Sequence, residues 1–551
     1  MLKHTFVIAF LLAIVVNNLS FSQQIKKNNI YRLAALGKVW GFLKYYHPDV
    51  SKGKYNWDTT LTNNYDRVVA VNSKEEFNNL LLKIIDNAGT VNFCPACPIS
   101  FHDSLKINLN IGWINDTNVF APFVSQRLAY IYKNYIPKNN VYVNRQKKVG
   151  NPIFPNEKRY ADVLLPDYSY RFLAFCRFWN LINYYYPYRY LLKNWDSLYI
   201  EFIPRLYNTK TDYFYFRTMQ EMATRLNDGH GFIIDRNVDY FSGRKVIPFQ
   251  IRKFDTAFYI VRFVDSVLCQ KAGVKIGDRI LKIDGNELDV LTNHYSRYQP
   301  ASNKAYLEYR VNLWLSVVKT DSSKILFKRG RDSVLKVIET VEISKKYIGK
   351  YDKTPWKMLS DSVGYINMGF LKQNDIEDAF KKLIKTKYLI IDSRNYPNWT
   401  IYPLANKLLD KRIVFSSIAE PDYEYPGMIK WGKPMVAGKR NSKSYKGKVI
   451  FLANSNTMSQ AEITIMALRH AIHSVVIGTE TAGAFGDVSQ LPLPGGLDVY
   501  FSGIGYYYPD GKMIHQIGIL PDIRVESSLK NVILGKDEIM DRAIEYIKNG
   551  K

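Results

Sequence analysis

The sequence predicts a multi-domain α/β protein with an N-terminal helical region built on an internal repeat, a β-rich module and a C-terminal α/β core. Three observations carry this reading: an aromatic motif recurs in the first half, strand-like runs begin at Val246, and short apolar runs alternate with helical segments after Val363. At about 150 residues per domain, 551 residues make three or four units. With 47% hydrophobic and 23% charged residues, the chain can bury several cores and has no disordered or collagen-like bias. The formal charge is +26, but 76 Lys and Arg are scattered among 50 Asp and Glu without a long basic block. It reads as solvated surface, and no nucleic-acid module accompanies it. No internal apolar run reaches the ~18 residues of a spanning helix, so stable membrane insertion is not expected.

The first element is a leader. Lys3 and His4 precede an apolar run from Phe6 to Val16, and small and polar residues follow to Ser20-Phe21-Ser22. This is the order of a secretory signal peptide, residues 1–22, and it implies an exported, periplasmic or secreted protein. No Cys follows the run, which disfavours a lipid anchor. Cys94, Cys97, Cys176 and Cys269 are too few for a disulfide framework, and Cys94-Pro-Ala-Cys97 reads as a local oxidised staple.

The repeat follows, as Leu33 to Gly89 and Leu173 to Gly229. The first copy has Trp40, Tyr45-Tyr46-His47-Pro48 and Asn56-Trp57-Asp58; the second has Trp179, Tyr184-Tyr185-Tyr186-Pro187 and Asn194-Trp195-Asp196. The aromatics fall at helical spacing before a Pro that ends the helix, so they are expected in the core. Gly229 is followed by His230, whereas Gly89 is followed by Thr90. Between the copies, residues 91–165 hold short alternating runs such as KINLNI and NVYVN and are expected to form a small β-rich stretch. The expected units are 23–165, 166–240, 241–345 and 346–551.

From Val246 come the strands IPFQI and FYIVRFV and then AGVKIGDRILKIDG, residues 272–285. The last segment resembles the hallmark of PDZ domains in bacterial proteases, and the resemblance implies peptide binding by strand addition along Phe249-Gln250-Ile251. In the C-terminal part, VGYINM, YLIID, VIFLA and SVVIG read as core strands. Loops at their C-terminal ends, residues 393–399 and 454–462, are where such sheets place their chemistry.

Ser459 begins the helix that follows VIFLA, beside free backbone N–H groups and the positive end of the helix dipole. The same residues, Ser459-x-x-Glu462, also form a helix-capping box. Taken with its neighbours, the chain from about Arg171 to Val525 resembles the C-terminal-processing, or tail-specific, serine peptidases, whose relatives include the tricorn core protease. Six segments match in order: Leu226-Asn227-Asp228-Gly229-His230, the PDZ-like segment, IID with its Arg/Asn loop, Ser459-x-x-Glu462, Gly478-Thr479-Glu480-Thr481-x-Gly483, and Gly518-Ile519-x-Pro521-Asp522-Ile523. The resemblance implies a crotonase-like or ClpP-like core with Ser459 as nucleophile, protein or peptide substrates, and no metal or organic cofactor.

The base departs from the better-known pattern. Ala484 stands where many members carry Lys, and no Lys occurs from Val449 to Gly511. Tricorn-like relatives draw a His from the earlier segment, which here is His230. Of the eight His, His470 lies eleven residues along the helix from Ser459, about 16 Å at 1.5 Å per residue, too far for a hydrogen bond. His515 is the reserve base. The resemblance places the oxyanion donors at the N–H groups of Gln460 and Asn398, although Asn398-Trp399 replaces a Gly-Gly pair. Gln516 and Asp228 are the candidates for a third member. A peptide-binding pseudopeptidase on this scaffold and a cell-envelope scaffold protein are the competing readings.

Overall fold

The computed structural model describes residues 25–97, 102–137, 140–234, 243–343, 353–471 and 473–550. The expected leader, residues 1–22, lies outside the described residues, as do the expected boundaries near 240 and 345.

The N-terminal half is mainly helical, and its helices include α1 (Lys27–Tyr46), α2 (Trp57–Ala70), α3 (Lys74–Asn87), α4 (Tyr168–Tyr185), α5 (Ser197–Tyr207) and α6 (Asp212–Thr224). Helices α1 and α4 pack closely because Gly37 and Gly41 leave room. A Cβ at Gly41 would lie 2.0 Å from Asn180, whose Nδ2 instead donates to Gly37 O at 3.0 Å. Trp40 and Trp57 exchange Nε1–H to carbonyl bonds of 2.7 and 2.9 Å, and Trp179 and Trp195 do the same at 3.0 and 3.3 Å. Each pair joins the end of one helix to the start of the next.

The charge is not all at the surface. Lys44 and Arg177 are fully buried between Asp58 and Glu157, with ion pairs of 2.6 Å (Lys44–Glu157) and 2.8 Å (Arg177 to both carboxylates). Two cations and two anions neutralise one another there, and removing any one would strand a buried charge at a cost of about 3–5 kcal/mol.

The stretch 91–165 is not the expected β subdomain. Its described residues hold one helix, Pro122–Lys133, two short 3₁₀ turns, and a single strand pair, Asn144–Arg145 with Pro152–Ile153. The alternation in KINLNI serves another purpose. Buried Asn108 donates from Nδ2 to the carbonyls of Tyr186 and Pro187, both at 3.1 Å, and accepts from Tyr190 N–H, so a side-chain amide takes the place of a strand ladder. A disulfide joins Cys94 and Cys97 as expected.

Next comes β1 (Ile233–Ile234). The β-rich module then contains β2 (Phe249–Phe254), β3 (Ala257–Phe263), β4 (Arg279–Ile283), helix α7 (Lys304–Trp314), β5 (Ser322–Arg329) and β6 (Asp332–Glu339), in the antiparallel order β6-β5-β4-β3-β2. Strand β2 is an edge with α7 beside it. Phe249 and Ile251 point into the module's core, leaving Gln250 half-buried.

The C-terminal sheet is β7-β8-β9-β10-β11-β14, formed by Trp356–Ser360, Val363–Asn367, Tyr388–Asp392, Lys448–Ala453, Val475–Gly478 and Ile523–Arg524. All neighbours after the β7–β8 pair are parallel. Helix α8 (Gln460–Leu468) follows β10. A second, antiparallel sheet joins β12 (Val488–Leu493), β13 (Leu497–Ser502) and β1, which ties the end of the helical half to the core. Among the described residues no helix is long and apolar enough to cross a membrane.

Candidate active site

Strand β10 is fully buried after Lys448 and ends in a tight turn, in which Asn456 N–H donates to Asn454 Oδ1 and Thr457 N–H to Asn454 O. The chain then reaches Ser459 at φ +53°, ψ −117°, a backbone conformation that side chains avoid at a cost of ~1–3 kcal/mol. Ser459 is half-buried at the first residue before α8, and Gln460 and Glu462 are buried behind it.

Glu462 does far more than cap. Its Oε2 accepts from the N–H of Ser459 (2.9 Å) and Ala484 (3.1 Å), while Oε1 accepts from Gly483 N–H (2.8 Å) and the Thr481 hydroxyl. Thr481 Oγ1 in turn accepts from Ile519 N–H at 2.7 Å. One carboxylate therefore fastens together three of the six matching segments. Burial pushes Glu462 up to about 7, and the four donors oppose that rise. Glycine is required around it: Gly518, at φ +82°, would place a Cβ 2.7 Å from Thr481 Oγ1.

His230 arrives on the turn after α6. Gly229 sits so close to Ala484 that a Cβ there would lie 2.8 Å from the Ala484 Cβ, and the Ala484 carbonyl accepts from Ser459 N–H at 3.1 Å. Ala484 thus touches both the His turn and the Ser turn. Two small residues, Gly229 and Ala484, form that contact. Helix α7 braces the same junction: Ser302 Oγ accepts from Gly229 N–H at 2.7 Å, Asn303 Nδ2 donates to Thr481 O at 2.8 Å, and Tyr306 Oη bonds Met458 Sδ at 3.1 Å.

The His230 ring is buried, and its Nδ1 lies 2.9 Å from Ser502 Oγ. Ser502 donates its own hydroxyl to Asp228 Oδ1 at 3.0 Å and its N–H to Oδ2 at 2.8 Å. With the Ser502 proton directed at Asp228, its lone pair faces Nδ1–H, which assigns the other ring nitrogen, Nε2, as the acceptor. Asp228 also accepts from His230 N–H at 2.9 Å and lies 3.7 Å from Nδ1, so its hydrogen-bond path to the ring runs through Ser502 while its charge acts on the ring directly. Burial holds His230 below its usual pKa, with Asp228 and Asp487 pulling the other way. Asp487, itself raised by burial, accepts from Tyr506 Oη at 2.8 Å.

The other expected residues fall elsewhere. His515 is fully buried behind Asp228, stacked on Tyr188 with ring centres 3.9 Å apart, and its Nε2 lies 3.3 Å from Tyr186 Oη, which is 3.4 Å from Asp228 Oδ2. Burial lowers it to about 4. Gln516 turns its Nε2 to Asn227 O at 3.2 Å and braces the Asp228 turn without meeting His230 in any hydrogen bond described. Asn398 is exposed, and its Nδ2 donates to Leu371 O at 2.9 Å. The loop it belongs to meets the Ser459 loop nearer its start, through Asn456 Nδ2 to Arg394 O (3.0 Å) and Thr457 Oγ1 to Ser393 O (3.1 Å). Arg394 is clamped between Asp392 and Asp537. Sequence reasoning missed Ser502 and Asp487, which carry no local motif, and read Tyr186 as core only. Among the described residues no group of three or more His, Cys, Asp or Glu could hold a metal ion.

Residues 362–525 match peptidase family S41. The match covers the parallel sheet from β8 and the Ser459 turn. The match contains Ser459, Glu462 and the Gly478 and Gly518 segments, and the chain's resemblance to C-terminal-processing peptidases holds across its longer matches. The carboxy-terminal processing protease CtpB of Bacillus subtilis is 25% identical over 323 residues, 56% of this chain and 62% of that protein. The carboxy-terminal-processing protease of Bartonella bacilliformis is 24% identical over 290 residues, 50% of this chain and 60% of its own. The chain thus spans about three fifths of the length of these relatives. The fold is similar to that of mature CPAF complexed with lactacystin, with a TM-score of 0.54 at 13% identity, covering 69% of this chain and 98% of the other. The matched residues contain the Ser459 turn, and His230 lies outside them.

Proposed function

We propose that the protein is an exported serine endopeptidase that cleaves protein substrates recognised through their C-terminal segment. Ser459 Oγ attacks the scissile carbonyl. Nε2 of His230 takes the Ser459 proton and returns it to the leaving amine, while Nδ1–H stays on the Ser502 hydroxyl and Asp228 balances the imidazolium. The Gln460 N–H, at the start of α8, donates to the oxyanion, with a second N–H from the Asn398 loop. Water repeats the sequence on the acyl-enzyme.

The observation that supports this reading most is the junction at Ala484, which touches both the strained Ser459 turn and the turn that carries buried His230. A helix cap needs neither the positive φ nor the His. The PDZ-like module extends the reading: edge strand β2, with Gln250 between inward-facing Phe249 and Ile251, would receive the substrate's C-terminus as an added strand. Export rests on the leader sequence.

An active-serine phosphonate incubated with the purified protein tests the proposal. An adduct on Ser459, absent in Ser459→Ala, is the expected result, and no adduct with a folded protein overturns it. Amidating the C-terminus of a cleaved peptide is expected to weaken binding; equal affinity removes the PDZ part alone. A second reading, a peptide-binding pseudopeptidase, draws on Gln516 and Asn398, whose side chains are engaged elsewhere. It predicts peptide binding without any phosphonate adduct.

A further inference from the structure

A cleft of about 610 Å³ opens between residues 146–159 of the helical half and strand β12, from Asp487 at one end to Pro492 at the other. That volume lies within the ~300–1,000 Å³ of ordinary ligand sites. Five steps along an extended strand at ~3.3 Å each make it about 16 Å long, room for a short extended peptide.

Three features point to its occupant. First, Asp487 lines one end of the cleft, and its carbonyl accepts from Gly503 N–H at 2.7 Å, next to Ser502, whose hydroxyl lies 2.9 Å from His230 Nδ1, so that end adjoins the candidate base. Second, among the described residues β12 pairs only with β13 and is an edge; along it Val488 and Gln490 are exposed while Ser489 and Leu491 are buried. That two-residue alternation matches the side-chain period of an extended chain lying alongside. Third, the facing wall carries exposed apolar side chains, Val149 and Ile153, each 39% accessible, opposite Val488. The walls are held at a fixed spacing by Asn151, whose Nδ2 donates to Val488 O at 3.0 Å and to Ser489 Oγ at 3.1 Å. At the far end Arg177 donates to Pro492 O at 2.9 Å, tying the cleft floor to the buried ion quartet.

We propose, on the footing of the peptidase reading, that this cleft seats an extended stretch of substrate polypeptide adjoining the scissile bond. Apolar substrate side chains rest against Val149, Ile153 and Val488, which makes the N-terminal helical region part of the substrate-binding surface. Asp487 disfavours an acidic substrate residue at the end nearest His230.

The test uses the full-length protein with the exposed wall altered by Val149→Trp, which fills the cleft, and by Ile153→Asp, which places a charge in it. Binding of a fluorescent ten-residue peptide with apolar residues to the Ser459→Ala background is read by anisotropy. Either wall variant is expected to weaken binding about tenfold or more, the scale of losing apolar contacts in a pocket. In the active protein, the same variants raise KM for that peptide while the rate of phosphonate labelling of Ser459 stays within about twofold. Unchanged binding in both variants, or no binding of the peptide to the Ser459→Ala protein, overturns the inference. Absent labelling in the unaltered protein would instead count against the peptidase reading, and the anisotropy result would still decide the cleft.

Discussion

The Ser502 hydroxyl lies 2.9 Å from Nδ1 of His230, although 272 positions separate the two residues in the chain. It is the only group described that bonds the ring itself, and it passes the influence of Asp228 to the imidazole. Ser502→Ala is expected to lower kcat by ~10²-fold with little change in KM, since ring orientation and imidazolium stabilisation are lost but substrate contacts are not. Thermal unfolding should show a cost of ~1–3 kcal/mol from the Asp228 hydrogen bond left unmade. Steady-state kinetics that match the unaltered protein would remove Ser502 from the relay.

Backbone strain at Ser459 gives a prediction that separates nucleophile from cap. Ser459→Gly relieves the φ +53° conformation and is expected to raise stability by about 1 kcal/mol, after the flexibility of glycine in the unfolded chain is set against the strain removed. Ser459→Ala should leave stability nearly unchanged. Both should abolish peptide cleavage. If Ser459 served only as a cap, Ala would cost about 1 kcal/mol and cleavage would survive. Chemical denaturation and a peptide assay on the same preparations distinguish the two patterns.

Gly229 and Ala484 meet at the contact that links the His230 turn to the Ser459 turn. A methyl at Gly229 would need to share space with the Ala484 Cβ at 2.8 Å, so Gly229→Ala must push the turns apart. Gly229 has no positive φ, which makes the effect steric and not conformational. A displacement of this size is expected to cost ~10²-fold in kcat through misplacement of the base. Ala484→Lys should likewise fail to create a Ser–Lys pair and should lose activity. Cleavage by Ala484→Lys in the absence of His230 would show that the site accepts the commoner base.

The sequence exposed some of this architecture and hid the rest for definite reasons. Strands β8 to β11 are buried on both faces and so read as unbroken apolar runs, which is why Tyr388–Asp392 was legible to the residue. Ser459, His230 and Glu462 were reachable through matching segments. Ser502 ends an ordinary alternating strand, and nothing local distinguishes it from a solvent-facing Ser. The KINLNI run misled because Asn108 satisfies backbone groups of a distant helix end, a role that alternation cannot announce. Lys44 and Arg177 look like surface charge until α1 and α4 bring them to Asp58 and Glu157.

The pH dependence follows from the buried imidazole. His230 acts as a base only when neutral, and burial lowers its pKa from 6.5, so kcat is expected to be on its plateau at pH 7 and to fall through an inflection below 6.5. The sign for stability runs the same way. The native state binds the proton less tightly than the unfolded chain, so this residue's contribution is present above about pH 6.5 and is lost as pH falls toward the folded-state value. Asp487→Asn removes one of the two carboxylates that raise the His230 pKa and should move the inflection further down. His230→Ala should cost ~10²-fold or more in kcat and abolish the inflection, whereas His515→Ala, whose hydrogen-bond path to His230 runs through Tyr186, Asp228 and Ser502, should leave it in place. A pH–rate profile from pH 5 to 8 on the four proteins checks each part, and an inflection that survives in His230→Ala would assign the base to another group.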